Sequence, residues 1–288
     1  MNPSSSPIEH ISDTARWVAM YRAMESERPD AHFRDPYARR LAGERGDEIV
    51  RRMPKGASWS WPMVVRTVVM DELIRRAVER DGVDTVLNLA AGLDTRAYRL
   101  PFPRTLRWID VDLPDVIAYK QEQLAGERPV CTLEFAKVDL TDAARRRALF
   151  AQIGIAARQV LVVTEGLLVY LTAEQVASLA ADLHAQTTFR WWLIDIVSPR
   201  LLGMLRKTWG KQLDAGQAVM QFAPQEGAAF YLGHGWREAE FRSTWEEAHR
   251  LKREMTFAWL WRLLARLAPK RRQEEFRRMS GIVLLERT

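Results

Sequence analysis

The chain has 288 residues, of which 47% are hydrophobic and 28% charged, and its formal net charge is +6. This composition indicates a folded protein with a sizeable core and excludes an intrinsically disordered chain. The single cysteine, Cys131, excludes an intrachain disulfide, argues against a thiolate metal cluster and fits a reducing cytoplasm. We expect no secretory signal at residues 1–10, and no run of the roughly 18 apolar residues that span a membrane.

Two segments near the start of the chain show the spacing of amphipathic helices. Apolar residues recur every three or four positions across residues 11–28 and 63–80, and Pro29 and Pro54 are natural helix breaks. We therefore expect the front of the chain to be helical.

From residue 84 the pattern changes to short apolar runs separated by helix-like segments. The runs predict strands at residues 85–90, 106–111, 132–138, 159–164, 190–197 and 281–286. The intervening segments predict helices at residues 95–100, 113–125, 141–153 and 172–186. Thr141 and Thr172 suit helix N-caps, and Gln175 would complete a capping box with Thr172. Strands that alternate with helices indicate an α/β fold with a parallel sheet.

The whole chain, residues 1–288, is expected to form a single domain with four parts. These are a helical N-terminal extension at 1–80, a sheet core at 81–198, a lid or substrate region at 199–255, and a C-terminal helix with the last strand at 256–288. Regularity fades after Pro199, and the Gly-, Met- and Trp-containing residues 201–230 are interpreted as a mobile lid over a pocket.

Two overlapping C-terminal segments have a second interpretation as binding surfaces. The basic residues 262–278 approach the pattern of a nucleic-acid patch, although a solvated helix surface is favoured. Residues 257–267 have a wide apolar side, with Arg262 and Arg266 one turn apart, and could lie on a membrane, although a packed helix is favoured. We expect a small-molecule partner and neither nucleic acid nor a membrane, while the oligomeric state stays open.

Acidic residues follow four of the predicted strands. Asp94 comes after the first strand, Asp110 and Asp112 after the second, Asp139 after the third and Glu165 after the fourth. The spacings between Asp94, Asp112, Asp139 and Glu165 are close to one strand–helix unit of about 30 residues. Ligands bind beyond the carboxyl ends of the strands in an open parallel sheet, so these acids are expected to line one edge.

The turn after the first strand indicates which cofactor fits. It reads Ala90-Ala-Gly-Leu-Asp-Thr95 instead of the G-x-G-x-x-G that cradles a pyrophosphate, and Gly92 permits a tight turn beside a ligand. An acid stands where a phosphate would lie, which argues against NAD or FAD. Asp110 or Asp112 is placed to accept hydrogen bonds from ribose hydroxyls. A nucleoside with a positive centre fits these residues, and S-adenosylmethionine is the expected cofactor.

Six short motifs occur in a characteristic order. They are Arg34-Asp-Pro-Tyr37, Val65-Arg-Thr67, Asn88-Leu-Ala-Ala-Gly-Leu-Asp-Thr-Arg96, Trp108-Ile-Asp-Val-Asp-Leu-Pro114, Val138-Asp-Leu140 and Thr164-Glu-Gly-Leu-Leu-Val-Tyr-Leu171. Together they resemble the leucine carboxyl methyltransferase family of S-adenosylmethionine-dependent O-methyltransferases, including its bacterial branch with polyketide-tailoring enzymes. The likeness runs from about Thr14 to Leu285. It implies a class I, Rossmann-like methyltransferase sheet with a helical N-terminal extension and a lid insertion.

The resemblance also implies roles for individual residues. Arg66 would pair with the carboxylate of the cofactor, Asp112 would bind its ribose, and Glu165 would face the methionine ammonium or the region near the sulfur. The turn at Ala90 and Gly92 would pack along the methionine part. Asp139 and Leu140 would hold the adenine. The complete implied set is Arg66, Ala90, Gly92, Asp94, Asp112, Asp139, Leu140 and Glu165. Family members usually have glycine where this chain has Ala90.

The five charged side chains of this set also have a purely structural interpretation. Asp112 and Asp139 precede predicted helices and could be N-caps, while Asp94 and Glu165 could belong to turns. Arg66 by itself would be a solvated residue on an amphipathic helix.

The chemistry of methyl transfer decides whether a general base is needed. The reaction is an in-line displacement at a sulfonium, so the protein mainly aligns donor and acceptor and excludes water. A carboxylate, with a pKa near 4, is ionised at neutral pH and needs no base. The five histidines show no metal-ligand spacing, and no metal site is expected. If the acceptor were a hydroxyl, His234 in Gly233-His-Gly-Trp236 would be the candidate base.

The expected function is therefore S-adenosylmethionine-dependent O-methylation of a small-molecule carboxylic acid to its methyl ester. Arg206, Lys207 and Lys211 could attract an anionic acceptor, although a solvated face explains them equally well. The alternatives are hydroxyl methylation and a non-catalytic cofactor-binding module, for which Ala90 is the only indication. An RNA-modifying methyltransferase is disfavoured because the sequence has no N-P-P-Y-like motif and no appended basic domain.

Overall fold

The computed structural model describes residues 6–288, apart from the side chains of residues 261, 262 and 264–266. Within this part of the chain the strands are β1 Thr85–Leu89, β2 Arg107–Asp112, β3 Thr132–Lys137, β4 Val160–Thr164, β5 Phe189–Val197, β6 Trp236–Ser243 and β7 Ser280–Arg287. The α-helices are α1 Ser12–Ser26, α2 Ala38–Arg52, α3 Trp61–Arg80, α4 Arg96–Arg99, α5 Pro114–Gln123, α6 Ala143–Ala156, α7 Ala173–His184, α8 Pro199–Ala215, α9 Thr244–Arg250, α10 Ala258–Leu267 and α11 Lys270–Arg277.

The strands form one sheet in the order β3-β2-β1-β4-β5-β7-β6. Strands β1 to β5 pair in parallel, whereas β7 is antiparallel to both β5 and β6. The predicted α/β fold with a parallel sheet is confirmed. The strand order reverses between β1 and β4, and such a switch point opens a crevice at the carboxyl ends of the strands.

Apolar side chains on the two faces of the sheet form two separate core layers. On β1, Leu87 packs in the layer that holds Phe150 of α6 and Leu179 of α7. The preceding residue, Val86, points to the opposite layer with Leu73 of α3. This alternation follows from the two-residue period of a strand and buries every residue of β1.

The helical N-terminal extension covers the carboxyl edge of the sheet. Helices α1 and α2 pack against each other, and their buried Met20 and Leu41 share an apolar cluster with Leu93 from the turn after β1. Helix α2 was not predicted, because most of its side chains are charged and only a few small or aliphatic residues are buried. The N-terminal part therefore forms a wall over the strand ends.

The predicted irregularity of residues 201–230 is wrong for its first half. Helix α8 begins after Ser198, whose hydroxyl accepts a hydrogen bond from the backbone N–H of Leu201, and proline at the first helical position suits this start. Gly203 and Gly210 lower helix propensity and obscured the pattern in the sequence. Strand β6 was also not predicted and lies inside the range 199–255, so that range contributes to the sheet as well as to the substrate region.

Two predicted helix starts had different outcomes. The capping box of α7 is confirmed, since the Thr172 hydroxyl accepts from the Gln175 amide and the Gln175 side chain accepts from the Thr172 amide. Thr141 is not the N-cap of α6. Asp142 takes that position, and its carboxylate accepts from the backbone N–H groups of Ala144 and Arg145.

The expectation that residues 257–267 form a packed helix is wrong for the large apolar side chains that are described, although Ala258 is buried. Trp259, Leu260, Leu263 and Leu267 on α10 are 41–78% exposed. The side chains of Arg262 and Arg266 lie outside the described residues. In the described part of the chain, no helix is both long and apolar enough to cross a bilayer.

Candidate active site

A cavity of about 1190 Å³ lies at the carboxyl ends of β1, β2, β4 and β5, under α1, the start of α3 and α8. It is lined by all of the residues that the resemblance implies for the cofactor, namely Arg66, Ala90, Gly92, Asp94, Asp112, Asp139, Leu140 and Glu165. The sequence-based expectation that these acids share one edge is met by their arrangement. Their contacts to a cofactor stay a prediction.

The other candidate residues lie elsewhere. His234 is not among the described residues that line this cavity, and its ring instead packs against Phe230 at a centroid distance of 5.2 Å. Arg206, Lys207 and Lys211 are exposed on α8 and also lie outside the lining. The side of α8 that faces the cavity carries Leu205 and Trp209.

The turn after β1 is held in its shape by the carboxylate of Asp112. One oxygen of Asp112 accepts the backbone N–H of Gly92 at 2.6 Å, and the other accepts that of Leu113 at 2.7 Å. The N-cap position of α5 is Leu113, so Asp112 is not its N-cap. Burial raises the pKa of the Asp112 carboxyl, although these two donors favour its ionised form.

Two residues of this turn have left-handed backbone conformations. Gly92 has a φ of +51°, as a tight turn beside a ligand requires, and a Cβ there would approach the Cβ of Ala15 at 3.2 Å. Ala90 also has a φ of +51°, which is unfavourable for a residue with a Cβ. The position where the family usually has glycine is therefore strained in this chain.

Arg66 on α3 connects the ends of β4 and β5. Its Nε donates to Glu165 at 2.9 Å and its Nη1 to Asp195 at 3.2 Å, while the side chain is only 11% exposed. The second oxygen of Asp195 accepts the N–H of Gly166 at 2.7 Å. No described residue accepts a hydrogen bond from Nη2 of Arg66, so this end of the fork is available to a ligand carboxylate.

Arg96 is the centre of a buried ion network. Its Nη1 donates to Asp94 at 2.6 Å and to Glu165 at 2.7 Å, and its Nε donates to Asp71 at 2.6 Å. Arg99 donates twice more to Asp71. Burial alone would raise the pKa of the Glu165 carboxyl, but Arg96 and Arg66 lower it below its ordinary value. The network therefore keeps the Asp94 and Glu165 carboxylates ionised although both are largely buried.

A second buried ion pair, Lys120 with Asp110, lies beside the end of β1. Lys120 donates to Asp110 at 2.7 Å, and both side chains are almost fully buried. Asn88 donates one hydrogen bond to Asp110 and another to Asp94, which links this pair to the Arg96 network. Asp110 thus has a structural role, and of the two acids at the end of β2 only Asp112 lines the cavity.

Asp139 and Leu140, which the resemblance implies for the adenine, lie in the cavity lining after β3. One oxygen of the exposed Asp139 accepts from the amide and the hydroxyl of Thr141, and no described residue donates to the other oxygen. The carbonyl of Leu140 accepts from buried Arg146, which holds the loop in place. The free oxygen suits the amino group of adenine.

The Arg34-Asp-Pro-Tyr37 motif does not line the cavity but contacts residues in and next to its lining. Asp35 is buried and accepts from Arg22 at 2.9 Å and from the Thr95 hydroxyl at 2.7 Å. Arg22 also donates to the carbonyl of Leu93. The motif therefore fastens α1 to the turn after β1.

Three members of the site were not assigned from the sequence. Asp195 lies near the end of β5 and would have been found by applying the strand-end argument to that strand as well. Arg96 is part of a quoted motif but received no role. Asp71 lies within α3, where neither spacing nor a turn distinguishes it from a solvated helix residue.

The family model described as leucine carboxyl methyltransferase matches residues 15–184 of the chain. The chain belongs to the leucine carboxyl methyltransferase family. A Streptomyces coelicolor relative is 33% identical over 257 residues, covering 84% of this chain and 88% of the relative. A Frankia alni relative is 37% identical over 243 residues, covering 79% and 83%. Both carry names that class them as candidate S-adenosyl-L-methionine-dependent methyltransferases.

Two crystal structures share the fold of this family member at low sequence identity. A DUF574 family protein from Streptomyces avermitilis aligns with a TM-score of 0.59 at 13% identity, covering 96% of this chain and 97% of that one. A candidate methyltransferase from Thermobifida fusca aligns with a TM-score of 0.57 at 13% identity, covering 100% and 97%. The predicted family and class I methyltransferase fold are confirmed, as is S-adenosylmethionine as the cofactor.

Proposed function

We propose that this methyltransferase transfers a methyl group to the carboxylate of a small apolar acid and forms a methyl ester. The proposal rests on which arginine and lysine side chains in the cavity lining are paired with carboxylates of the protein and which are not. Arg22, Arg66, Arg96 and Arg99 are paired with carboxylates of the protein. Lys55 and Arg200 also line the cavity, are exposed, and make no ion pair with a described residue. Two free cations in a mostly apolar cavity favour an anionic acceptor.

The residues at the strand ends fit the cofactor chemically. Each oxygen of Asp112 accepts one backbone N–H and keeps a lone pair for a ribose hydroxyl. Nη2 of Arg66 is available to the methionine carboxylate, and ionised Glu165 is suited to the ammonium. When bound, S-adenosylmethionine supplies an electrophilic methyl group on a sulfonium. A cluster of acids at this edge would repel a nucleotide phosphate.

The protein's part in the reaction is to bind the two reactants, to orient them and to exclude water. A carboxylate acceptor arrives ionised, so it needs no general base. Its oxygen would bond to the methyl carbon of bound S-adenosylmethionine while the carbon–sulfur bond breaks, and the electron pair of that bond would stay on sulfur. No proton moves in this balance. Burial raises the pKa of Tyr170 to about 12, so its phenol in the cavity lining stays protonated at neutral pH and does not serve as a general base. Apolar walls exclude water from the reacting atoms.

The size of the cavity supports binding of both reactants. Ligand pockets for one small molecule measure about 300–1,000 Å³, and this cavity measures about 1190 Å³. The cofactor end and an acceptor end can therefore be occupied together, which an in-line displacement requires.

The proposal is tested with methyl-labelled S-adenosylmethionine and a panel of matched carboxylic acids and phenols. We expect labelled products from acids, and mild base should release the label as methanol because esters hydrolyse whereas ethers do not. Label that stays attached after base treatment would show hydroxyl methylation instead. Calorimetric titration with S-adenosylhomocysteine is the companion measurement, and the absence of binding would remove the enzyme assignment altogether.

A further inference from the structure

We propose that Lys55 and an aromatic wall beside it form the acceptor-binding part of the cavity, which selects a flat aromatic carboxylic acid. This inference rests on the proposed function and names the class of its acceptor. The aromatic wall consists of the rings of Trp17, Tyr21, Trp59 and Trp209, all of which line the cavity.

The aromatic wall is a single packed unit. The ring of Trp209 lies 5.1 Å from that of Trp17 and 5.1 Å from that of Trp59, with interplanar angles of 82° and 78°. Trp17 in turn lies 5.8 Å from Tyr21. The two edge-to-face indole contacts and the tilted contact to Tyr21 fix the rings, and aromatic side chains lose little conformational entropy on binding. A fixed array of rings recognises a flat aromatic body better than a flexible alkyl chain.

The same rings hold the backbone on both sides of Lys55. The indole N–H of Trp209 donates to the carbonyl of Pro54 at 2.8 Å. The hydroxyl of Tyr21 donates to the carbonyl of Gly56 at 2.6 Å. Gly56 itself has no room for a side chain, because a Cβ would lie 2.0 Å from the carbonyl oxygen of Val50. The turn that carries Lys55 is thus built onto the aromatic wall.

Lys55 has a backbone conformation that its residue type disfavours. Its φ is +59°, in the left-handed region, where a side chain is strained. Strain of this kind is kept when the surroundings enforce it, and it is concentrated at ligand-binding positions. The hydrogen bonds to Pro54 and Gly56 are the enforcing contacts, and they present the lysine side chain to the cavity.

The ammonium of Lys55 supplies the positive charge that the carboxylate of an aromatic acid requires. Its ammonium lies 5.8 Å from the ring centroid of Trp59, and no described carboxylate lies within ion-pair distance of it. An aromatic acid can place its ring on the aromatic wall and its carboxylate at the ammonium. Methylation removes the negative charge of the acceptor, so the ester loses the attraction to Lys55 and is released.

The test measures binding with probe molecules, independently of turnover. Calorimetry in the presence of saturating S-adenosylhomocysteine compares 2-naphthoate, its neutral analogue 2-naphthamide, and the alkyl acid octanoate. We expect the wild type to bind 2-naphthoate at least about tenfold more tightly than either analogue. Lys55→Met should remove the preference over the amide, whereas Lys55→Arg should keep it. Trp59→Leu should reduce the preference over octanoate.

A matched control and clear contrary outcomes accompany this test. Lys207→Met removes an exposed lysine of α8 that does not line the cavity and should leave all three affinities unchanged. Equal binding of 2-naphthoate and 2-naphthamide, no detectable binding of 2-naphthoate, or an unchanged preference in Lys55→Met would overturn the subsite. Failure of the wild type to bind S-adenosylhomocysteine would instead overturn the proposed function, so the two failures are distinguishable.

Discussion

Arg96 and Glu165 are 69 positions apart in the sequence, yet Nη1 of Arg96 donates to the Glu165 carboxylate at 2.7 Å. This contact joins the start of α4, directly after the β1 turn, to the residue that follows β4. The sheet order reverses between β1 and β4. The Arg96 side chain is 2% exposed and that of Glu165 is 16% exposed. An ion network therefore links the two strand ends at the switch point of the sheet, beside the cavity.

Removing Arg96 should destabilise the protein strongly. Arg96→Met leaves buried Asp94 without its ion-pair partner, whereas Asp71 keeps Arg99 and Glu165 keeps Arg66, and an uncompensated buried charge costs about 3–5 kcal/mol. Urea unfolding followed by circular dichroism measures the free energy. Arg75→Met is the matched control, because Arg75 pairs with Glu79 on the exposed side of α3 and should cost less than about 1 kcal/mol. Similar losses in both variants would contradict a central role for Arg96.

Asp195 should act as a positioning residue for Arg66. Asp195→Asn can still accept the N–H of Gly166 but no longer offers a negative charge to Nη1 of Arg66. We expect about tenfold weaker S-adenosylhomocysteine binding and a raised KM for S-adenosylmethionine, because charged hydrogen bonds contribute about 1.5–3 kcal/mol. The thermal midpoint should change little. Asp214→Asn, at an exposed position on α8, should have no effect on affinity, and an Asp195→Asn enzyme that matches it would refute the positioning role.

Ala90 and Ala91 allow a test of backbone strain with neighbouring residues. Ala90→Gly should stabilise the protein by about 0.5–1 kcal/mol, because glycine adopts a positive φ without steric cost. Ala91 is buried without a positive φ, so Ala91→Gly should destabilise it through greater freedom of the unfolded chain and a lost methyl contact. Denaturant midpoints distinguish the two signs. Destabilisation by both substitutions would show that the strain at Ala90 is negligible.

The Glu165 carboxyl predicts a pH dependence of stability. The pKa of this carboxyl is lower in the folded protein than in the unfolded chain, where it is about 4. The ionised carboxyl therefore contributes to folding stability above the pKa of the unfolded chain, and this contribution is lost as the pH falls through the pKa of the folded protein. The thermal midpoint of the wild type should therefore fall more steeply below about pH 5 than that of Glu165→Gln, which does not titrate there. Glu275→Gln, exposed on α11, should retain the wild-type slope. Parallel curves for wild type and Glu165→Gln would count against the prediction.

The Asp112 carboxyl predicts a pH dependence of cofactor binding, and its pKa is raised, whereas that of Glu165 is lowered. Burial raises the pKa of the Asp112 carboxyl, so protonation on acidification starts at a higher pH than for an ordinary aspartate. S-adenosylhomocysteine affinity should decline as pH is lowered toward that value, because only the ionised group accepts through both oxygens. Asp112→Asn should bind about tenfold or more weakly and lose this pH dependence. Asp115→Asn in the first turn of α5 is the control, and equal pH profiles for it and Asp112→Asn would disprove the assignment.

Much of the fold could be predicted because its signals are local. The apolar runs of β1, β2, β4, β5 and β7 are fully or largely buried, and their continuous hydrophobicity marks them in the sequence. Strand β6 alternates charged and apolar residues at the sheet edge, and α2 is dominated by charge, so neither presented a clear period. Helix α8 was obscured by two glycines that tertiary packing tolerates.

The sequence by itself determined which acids follow the strands and which family motifs occur. It thereby determined the edge of the sheet at which the predicted cofactor residues meet. A strand-end position depends only on the local pattern and on the shared direction of parallel strands. Only the tertiary structure decided which partner each charge has. Asp71 pairs with Arg96 and Arg99 from another part of the chain, whereas Lys55 and Arg200 pair with no acid among the described residues. Such pairings depend on three-dimensional distance and burial, which sequence spacing does not encode.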